Sequence, residues 1–526
     1  MRKALSIAFG LLLAVSATPA PTTATGNPPW VTHVLTYPGG ISDGVRAKLM
    51  AASLTTSGTA DAAQTVTATN VQASDETPQD LPTDETAVAF NPSQKMIAIA
   101  SANDFNVPDG LWIGRTTDGG QTWSSLHKGA VTSKGNQRCF GSDPSVVYSM
   151  RDKAFYISTL CFLSINPTSE VQVWKSVDNG GTWTPSNQAA VAITNVSATS
   201  VDESVFYDKE LLAVDNNPTS LHFGRLYVTF IKFHLLESGF SDFCPAQVAF
   251  TDSVPTSDPS TAVWSHTAIV PDLPQENGVG SGANQFATPV VDSGGGLDVA
   301  YVSEDCNTSL DRQLLFKRST DGGQSFGSSV EIDHPGQFAD NPNLSDLLPD
   351  KNFRAPISPS LAFNPVTGTL DYVYQNNINR TISGADISFQ QSKDFGAHWS
   401  NAKFVSITST GAPAPNDQFE PWLAIDESGN LHAIWYDNRN DPGNKLIETF
   451  EAFSPNDGKT WTNFDISTTS WNPDNSFFGC GCFIGDYTGY AASNMVRYPV
   501  WTDGRNTSGP PLGETDIFTN VEIAGP

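Results

Sequence analysis

Thr116–Trp123 reads TTDGGQTW, and four later stretches repeat it: Ser176–Trp183 (SVDNGGTW), Ser319–Phe326 (STDGGQSF), Ser392–Trp399 (SKDFGAHW) and Ser454–Trp461 (SPNDGKTW). The shared pattern is Ser/Thr-x-Asp-x-Gly-x-x-aromatic, with Asn456 in the Asp place of the fifth copy. These residue types suit a turn between two strands. A carboxylate accepts backbone N–H bonds inside the turn. Glycine takes the positive φ that other residues resist. The terminal ring can be buried between neighbouring sheets. The shared glycines stand at 120, 180, 323, 396 and 458, so the spacings are 60, 143, 73 and 62 residues. The second spacing has room for one more copy, and the degenerate stretch Thr251–Trp264 occupies that place.

A longer unit alternates with these turns. It starts at Glu85, Asp143, Lys209, Phe286, Ile357, Phe419 and Asp486, as in ETAVAFNPSQKMIAIASAND from Glu85. Period-two alternation around an Asn/Asp-Pro or Gly turn reads as a β-hairpin. One hairpin plus the strands flanking one Asp-containing turn make four strands. Seven such units predict an all-β chain, a seven-bladed β-propeller of four-stranded antiparallel blades, with six blades as the alternative. Only one strand, near Thr515–Ile523, follows the seventh hairpin. The stretch Thr65–Gln72 (TVTATNVQ) is expected to supply the missing fourth and close the ring. Closure protects edges that would otherwise pair with other chains.

The expected organisation is a signal peptide over 1–20, an N-terminal arm over 21–63 and the propeller over 64–526. Arg2 and Lys3, the apolar run Ala4–Val15, then Ser16 and Ala17 follow the order of a secretory signal. The mature protein is therefore expected to be soluble and extracellular or periplasmic. The arm is rich in Pro, Gly, Ala and Thr, with a short helix expected near Val45–Ala52. No later stretch approaches the roughly 20 apolar residues of a transmembrane helix.

The 28 Lys+Arg against 55 Asp+Glu give a net charge of −27. That balance excludes general attraction to nucleic acid or an anionic membrane. The 42 Gly, 35 Pro and 30 Phe argue against coiled coils and wholesale disorder. Export permits disulfides among the six cysteines. Cys139 precedes the first strand of blade 2 and Cys161 ends its partner, so they should be neighbours. Cys244 and Cys306 follow the second strands of blades 3 and 4 and can bridge loops on one face. Cys480 and Cys482 either pair locally or remain thiols. No Cys/His set has zinc spacing, and no cofactor is expected. The acidic loops would suit Ca²⁺, although no segment matches an EF-hand loop. A monomer is expected.

The turn motif resembles the Asp box, or BNR repeat, of the sialidase (neuraminidase) superfamily. As architecture, the resemblance covers most of the chain. Similar boxes occur in sialidases, xyloglucanases, polysaccharide lyases, sorting receptors and photosystem assembly factors, so fold does not settle function. Sialidase rings usually have six blades, and seven is a departure. The resemblance implies that the Asp boxes lie away from the functional face. That face should hold residues just before the first strand and just after the second strand of each blade.

A sialidase needs Arg forks for the substrate carboxylate, a Tyr nucleophile with a Glu base, and an Asp acid. The resemblance therefore implies Arg354, Arg439 and Arg505 as substrate-binding residues, Tyr487 as nucleophile, Glu420 as its base, and Asp84 or Asp143 as acid. Phe353-Arg354-Ala355-Pro356 is similar to the sialidase Phe/Tyr-Arg-Ile-Pro motif, but sits in blade 5 and has Ala for Ile. Arg439 and Arg505 lie at matching places in YDNR and TDGR, which also reads as an Asp–Arg pair fixing a strand end. The expected function is thus a secreted, glycan-directed exo-glycosidase releasing sialic acid. One alternative is a non-catalytic propeller binding glycan or protein. The other is a carbohydrate hydrolase or lyase whose mark is a central Asp/Glu pair without a converging Arg trio.

Overall fold

The computed structural model describes residues 27–37, 39–51, 70–75, 81–105, 110–133, 137–163, 168–183, 190–193, 202–271, 282–308, 313–335, 348, 351–376, 384–476, 483–507 and 513–523. The expected signal peptide and Cys480 and Cys482 lie outside the described residues.

The described strands form six antiparallel sheets of four to eight strands, which group into seven repeating units; Ser241–Phe243 and Glu522–Ile523 add short fifth strands to units 3 and 7. Unit 1 is Thr83–Asn91, Gln94–Asp104, Gly110–Thr116 and Ser124–Val131; unit 2 is Arg138–Ser149, Ala154–Phe162, Ser169–Ser176 and Ala190–Ile193. Unit 3 is Val205–Val214, Leu226–Leu235, Ala246–Thr251 and Ser265–Ala268; unit 4 is Asn284–Val291, Leu297–Ser303, Gln313–Ser319 and Val330–Asp333. Unit 5 is Ser360–Asn364, Thr369–Asn376, Asp386–Ser392 and Lys403–Phe404; unit 6 is Gln418–Ile425, Leu431–Asp437, Glu448–Ser454 and Thr462–Asp465. Unit 7 is Gly489–Ala492, Val496–Asp503 and Asp516–Asn520, completed by Asn70–Gln72, which pairs antiparallel with Asp516–Asn520. Units 1 and 2 are further joined by a short pairing, Ala130 with Cys139, which merges them into one eight-stranded sheet.

The first strands of the units touch in cyclic order, 1 to 2 and onward to 7, and 7 returns to 1. The arrangement is propeller-like. Packing between units explains the sequence repeats. In all five turns the Ser/Thr hydroxyl accepts the N–H of the shared Gly, and the Asp or Asn oxygen accepts the N–H four residues on. The glycine then abuts the preceding unit. A Cβ on Gly396 would lie 1.9 Å from Phe316 of unit 4, and one on Gly180 would lie 2.1 Å from Ile99 of unit 1. The turn's terminal ring packs the same way: Trp399 meets Phe316 edge-on at 5.6 Å.

Before the sheets come two helices, α1 (Pro29–Thr36) and α2 (Asp43–Ala51). The sequence suggests only the second. Pro29 at the first turn of α1 suits a helix start. Trp30, 1% exposed, anchors α1 against Phe162 of unit 2 and Phe206 of unit 3. One disulfide joins Cys139 to Cys161 and another joins Cys244 to Cys306, with Cα separations of 5.3 and 5.9 Å. No helix among the described residues is long and apolar enough to cross a membrane.

Candidate active site

The site begins with a repeated irregularity. In units 1, 2, 3, 4 and 6 the first strand slips register, so that two residues face one on the partner strand. The leading residue of each bulged pair has positive φ: Glu85, Asp143, Lys209, Phe286 and Glu420, at 50 to 57°. Non-glycine residues held there cost about 1–2 kcal/mol each, and persist only where the surroundings fix them. A bulge re-aims a side chain and is over-represented beside active sites. In unit 7, Gly485 at φ 104° precedes Asp486 and Tyr487.

The bulges bring charges from different units to one place. The Lys209 ammonium lies 2.6 Å from Asp486, 3.2 Å from Glu85 and 3.3 Å from Asp143. These partners belong to units 7, 1 and 2, so Lys209 stands at the axis. Arg354 faces Asp486 at 3.0 Å. Asn103 donates to Asp84 at 3.0 Å and to Glu85 at 2.7 Å, and its carbonyl accepts the Asp143 N–H. Seven carboxyl groups, on Asp84, Glu85, Asp143, Asp208, Glu210, Glu420 and Asp486, are at most 1% exposed. Both carboxyl oxygens of Glu420, and both of Glu210, have no hydrogen-bond partner.

So many buried carboxyls cannot all ionise around Lys48, Lys209 and Arg354, because unpaired buried charge is prohibitively costly. Burial, with Asp486 and other carboxylates nearby, pushes Glu420 well above the usual carboxyl range despite Arg354 and Lys209. Burial and Asp143 do the same to Glu210 and Glu85. Asp84 and Asp208 are raised to about 7, chiefly by burial. Asp143 goes the other way: burial opposes its ionisation, but Lys209 and the Ser142 hydroxyl outweigh that and hold it low. The axis thus sets proton-bearing acids beside a carboxylate. Environments that push carboxyl groups apart are how one site obtains both an acid and a base.

Of the expected residues, Tyr487, Glu420, Asp84, Asp143 and Arg354 are buried and belong to this cluster. Tyr487 does not bond Glu420: its hydroxyl donates to the Pro144 carbonyl at 3.3 Å, and its ring lies 5.4 Å from the Lys209 ammonium. The expected Tyr–Glu couple is therefore not formed. Nor do the three arginines converge. Arg439 is bound to Asp437, the Ile407 carbonyl and Asn463, and stacks on Phe450 at 4.2 Å. Arg505 is bound to Asp503, Thr468 and Asn70, and stacks on Phe518 at 4.2 Å. The Trp435 and Trp501 N–H groups donate to the same aspartates. Each is a Trp-Asp-Arg clamp holding a strand end, the structural reading of YDNR and TDGR.

Sequence reasoning missed Lys209, Glu210 and Asp208. The acidic pair Asp202-Glu203, which precedes that strand of unit 3, is exposed instead. Register would have found them: Lys209-Glu210 precedes LLAV as Glu85-Thr86 precedes AVAF and Glu420-Pro421 precedes WLAI. No group of three or more His, Cys, Asp or Glu among the described residues is placed to hold a metal ion. One small pocket here, ≈ 10 Å³, is lined by Asp143, Lys209, Glu210, Trp422 and Tyr487 among others. That is the lower limit for a single water. A larger open cleft, ≈ 670 Å³ around Lys403, Thr408 and Trp461, contains no carboxyl side chain.

The N-terminal segment packs against the cluster. The Ser42 N–H donates to Asp208 at 2.9 Å. Gly44 packs so closely that a Cβ would lie 3.2 Å from Glu85 and 3.3 Å from Asn103 and Asp143. Lys48 donates to the carbonyls of Asp104 and Gly110.

No protein-family model matches the chain, and no curated protein matches it. Several solved structures resemble it distantly. An alpha-L-arabinanase of Penicillium chrysogenum, complexed with arabinobiose, is 12% identical with a TM-score of 0.42, over 87% of this chain and 99% of that one. An alpha-L-arabinofuranosidase from Fusarium graminearum, in complex with an iminosugar inhibitor, is 11% identical with a TM-score of 0.45, over 87% and 98%. A Trypanosoma rangeli sialidase in complex with 2,3-difluorosialic acid is 14% identical with a TM-score of 0.41, over 75% and 55%. At these values the likeness carries no statement about chemistry, which rests on the site itself.

Proposed function

We propose that the chain is a seven-bladed β-propeller, its ring closed by Asn70–Gln72, and that it acts as a glycan-directed hydrolase at its axial carboxyl cluster. The observation that carries this reading is the Glu420 carboxyl group. It is fully buried, has no hydrogen-bond partner, is pushed well above the usual range, and belongs to a cluster that also holds Asp486 ion-paired with Lys209 and Arg354. A proton-bearing acid and a carboxylate are what glycosidic cleavage requires. Glu420 takes the role of general acid, protonating the leaving oxygen. Asp486 or Asp143 supplies the carboxylate on the other side of the bond. Arg354, Lys209 and Asn103 orient these groups, and Tyr487 lines the floor with Trp422.

The clamped Arg439 and Arg505 favour this two-carboxyl reading over sialic acid release. A sialic acid carboxylate would enter a site crowded with carboxyls, with Arg354 the one member of the expected trio in the cluster. The test is hydrolysis of a panel of neutral arylglycosides and oligosaccharides, with a sialoside alongside, using protein whose axis has been opened by the variants described below. Glu420→Gln should abolish turnover, whereas Arg439→Ala should leave it within a few fold. Turnover unaffected by Glu420→Gln, or confined to the sialoside, would refute the reading.

A further inference from the structure

The geometry points to residues 29–51 as an intramolecular inhibitor that occupies the axial site in place of its ligand, and marks that ligand as a neutral, hydroxyl-rich chain. The proposal deepens the glycan-hydrolase reading and rests on it for the ligand's class.

The segment is held by two independent anchors. Trp30 is inserted between units 2 and 3, and the buried His33 ring bonds the carbonyls of Gly239 and Gly39. Arg46 ties α2 back to α1 through the carbonyls of Val34 and Tyr37. Between the anchors, the backbone crosses the carboxyl cluster. Gly39 N–H bonds the Asn307 carbonyl, the Gly40 carbonyl accepts from Gln285, Ser42 N–H donates to Asp208, and Gly44 lies against Glu85 and Asp143. At Gly40, where φ is +89°, a Cβ would lie 2.0 Å from the Cys306 carbonyl oxygen, so this crossing requires glycine there.

These contacts define what the site accepts. The segment offers the Ser42 N–H to Asp208, and the Lys48 ammonium lies near Asp84. Beneath it remain acceptors without partners: Asp84 Oδ2, Asp208 Oδ1, Gln285 Oε1 and both oxygens of Glu210 and Glu420. A sugar hydroxyl both donates and accepts, so it satisfies carboxyls in either protonation state. An anionic ligand would meet like charge. Because the segment shares the chain that closes unit 7, it competes at the high effective concentration of a tethered ligand.

The test uses the full chain. In Trp30→Ser/Lys48→Glu, one anchor is lost and a carboxylate is set beside Asp84. In Gly44→Leu, the anchors stay and the contact itself is blocked. Hydrogen exchange reports whether residues 29–51 have left, and protection of the Cys139–Cys161 hairpin reports that the sheets remain folded. Carbodiimide labelling of Glu420 and Glu210, read by mass spectrometry, reports access. Both variants should raise labelling at least tenfold, and the same protein should begin to cleave neutral oligosaccharides. Increased labelling without any turnover would support the inhibitor and overturn the hydrolase reading. A segment released with labelling unchanged would overturn the inhibitor.

Discussion

Lys209→Met removes the cation that binds Glu85, Asp143 and Asp486 while keeping most of the buried hydrocarbon stem. Lys209 is 3% exposed, and Asp143, Glu85 and Asp486 are at most 1% exposed, so solvent cannot replace the ammonium. Breaking a buried ion pair from one side costs about 3–5 kcal/mol. The cost depends on pH in a definite direction. Asp143 is held low by Lys209 and Ser142 against burial. In the native protein it therefore adds stability above its unfolded pKa, which is lost as pH falls through the lower folded value. Without Lys209, burial governs, and the folded pKa moves above the unfolded one. The group is then harmless at low pH and destabilising as pH rises. The linkage slope is about 1.4 kcal/mol per pH unit for each proton so affected. Lys209 itself is raised well above its ordinary value and stays charged throughout. Urea unfolding at pH 5 and pH 8 should therefore show a variant deficit near 1 kcal/mol at pH 5, growing to about 4 kcal/mol at pH 8. An equal deficit at both pH values would refute the idea that the carboxyls at the axis depend on Lys209 for their charge.

Three further outcomes follow from individual contacts. Gly396→Ala adds left-handed strain at φ +84° and a Cβ 1.9 Å from Phe316, whereas Gly368→Ala has φ +73° and nothing within 4 Å; urea unfolding should cost about 3 kcal/mol for the first and about 1 for the second. Arg505→Ala strips Asp503, buried to 1% exposure, and loosens Asn70; thermal unfolding should fall by an amount equivalent to about 2–4 kcal/mol, and hydrogen exchange should rise in Asn70–Gln72. His127 is raised to about 10 by its bonds to Asp104 and Asp75 against burial. Its contribution is complete below the unfolded pKa of about 6.5 and is lost as pH rises through about 10. His127→Gln should consequently cost more at pH 6 than at pH 10, measured by unfolding midpoints.

The architecture was legible because the repeats are dictated by packing. The turn glycines recur since Gly180, Gly396 and Gly458 each press on the unit before, and the hairpins alternate because one face of each strand meets a neighbour. The axial site was only half legible. Glu420, Asp84, Asp143 and Arg354 stand out as charges at strand starts, but whether they meet depends on a bulge, which sequence alternation signals only as a slip of one residue. Lys209 was hidden inside what reads as the beginning of a strand. Arg439 and Arg505 misled because an Asp-x-Arg clamp and a ligand-binding fork have the same residue spacing. Only the Trp N–H on the same aspartate and the stacked Phe distinguish them.

The charge of the whole chain and the charge of its axis pose the same physical problem at two scales. A net −27 is tolerable at a hydrated surface, where salt screens it. Seven carboxyls, each at most 1% exposed and gathered around Lys209 and Arg354, are not, and the protein resolves the conflict by protonating some and pairing others. Such a solution is stable only while water stays out. Closure by Ser42, Gly44 and Lys48 keeps the cluster dry and its acids protonated, while opening it admits both solvent and ligand. A hydroxyl-rich ligand that refills the space restores the dryness and, with it, the raised pKa values that the chemistry needs. The same exclusion of water that makes the closed state inert therefore prepares the acid for use once a ligand has taken the segment's place.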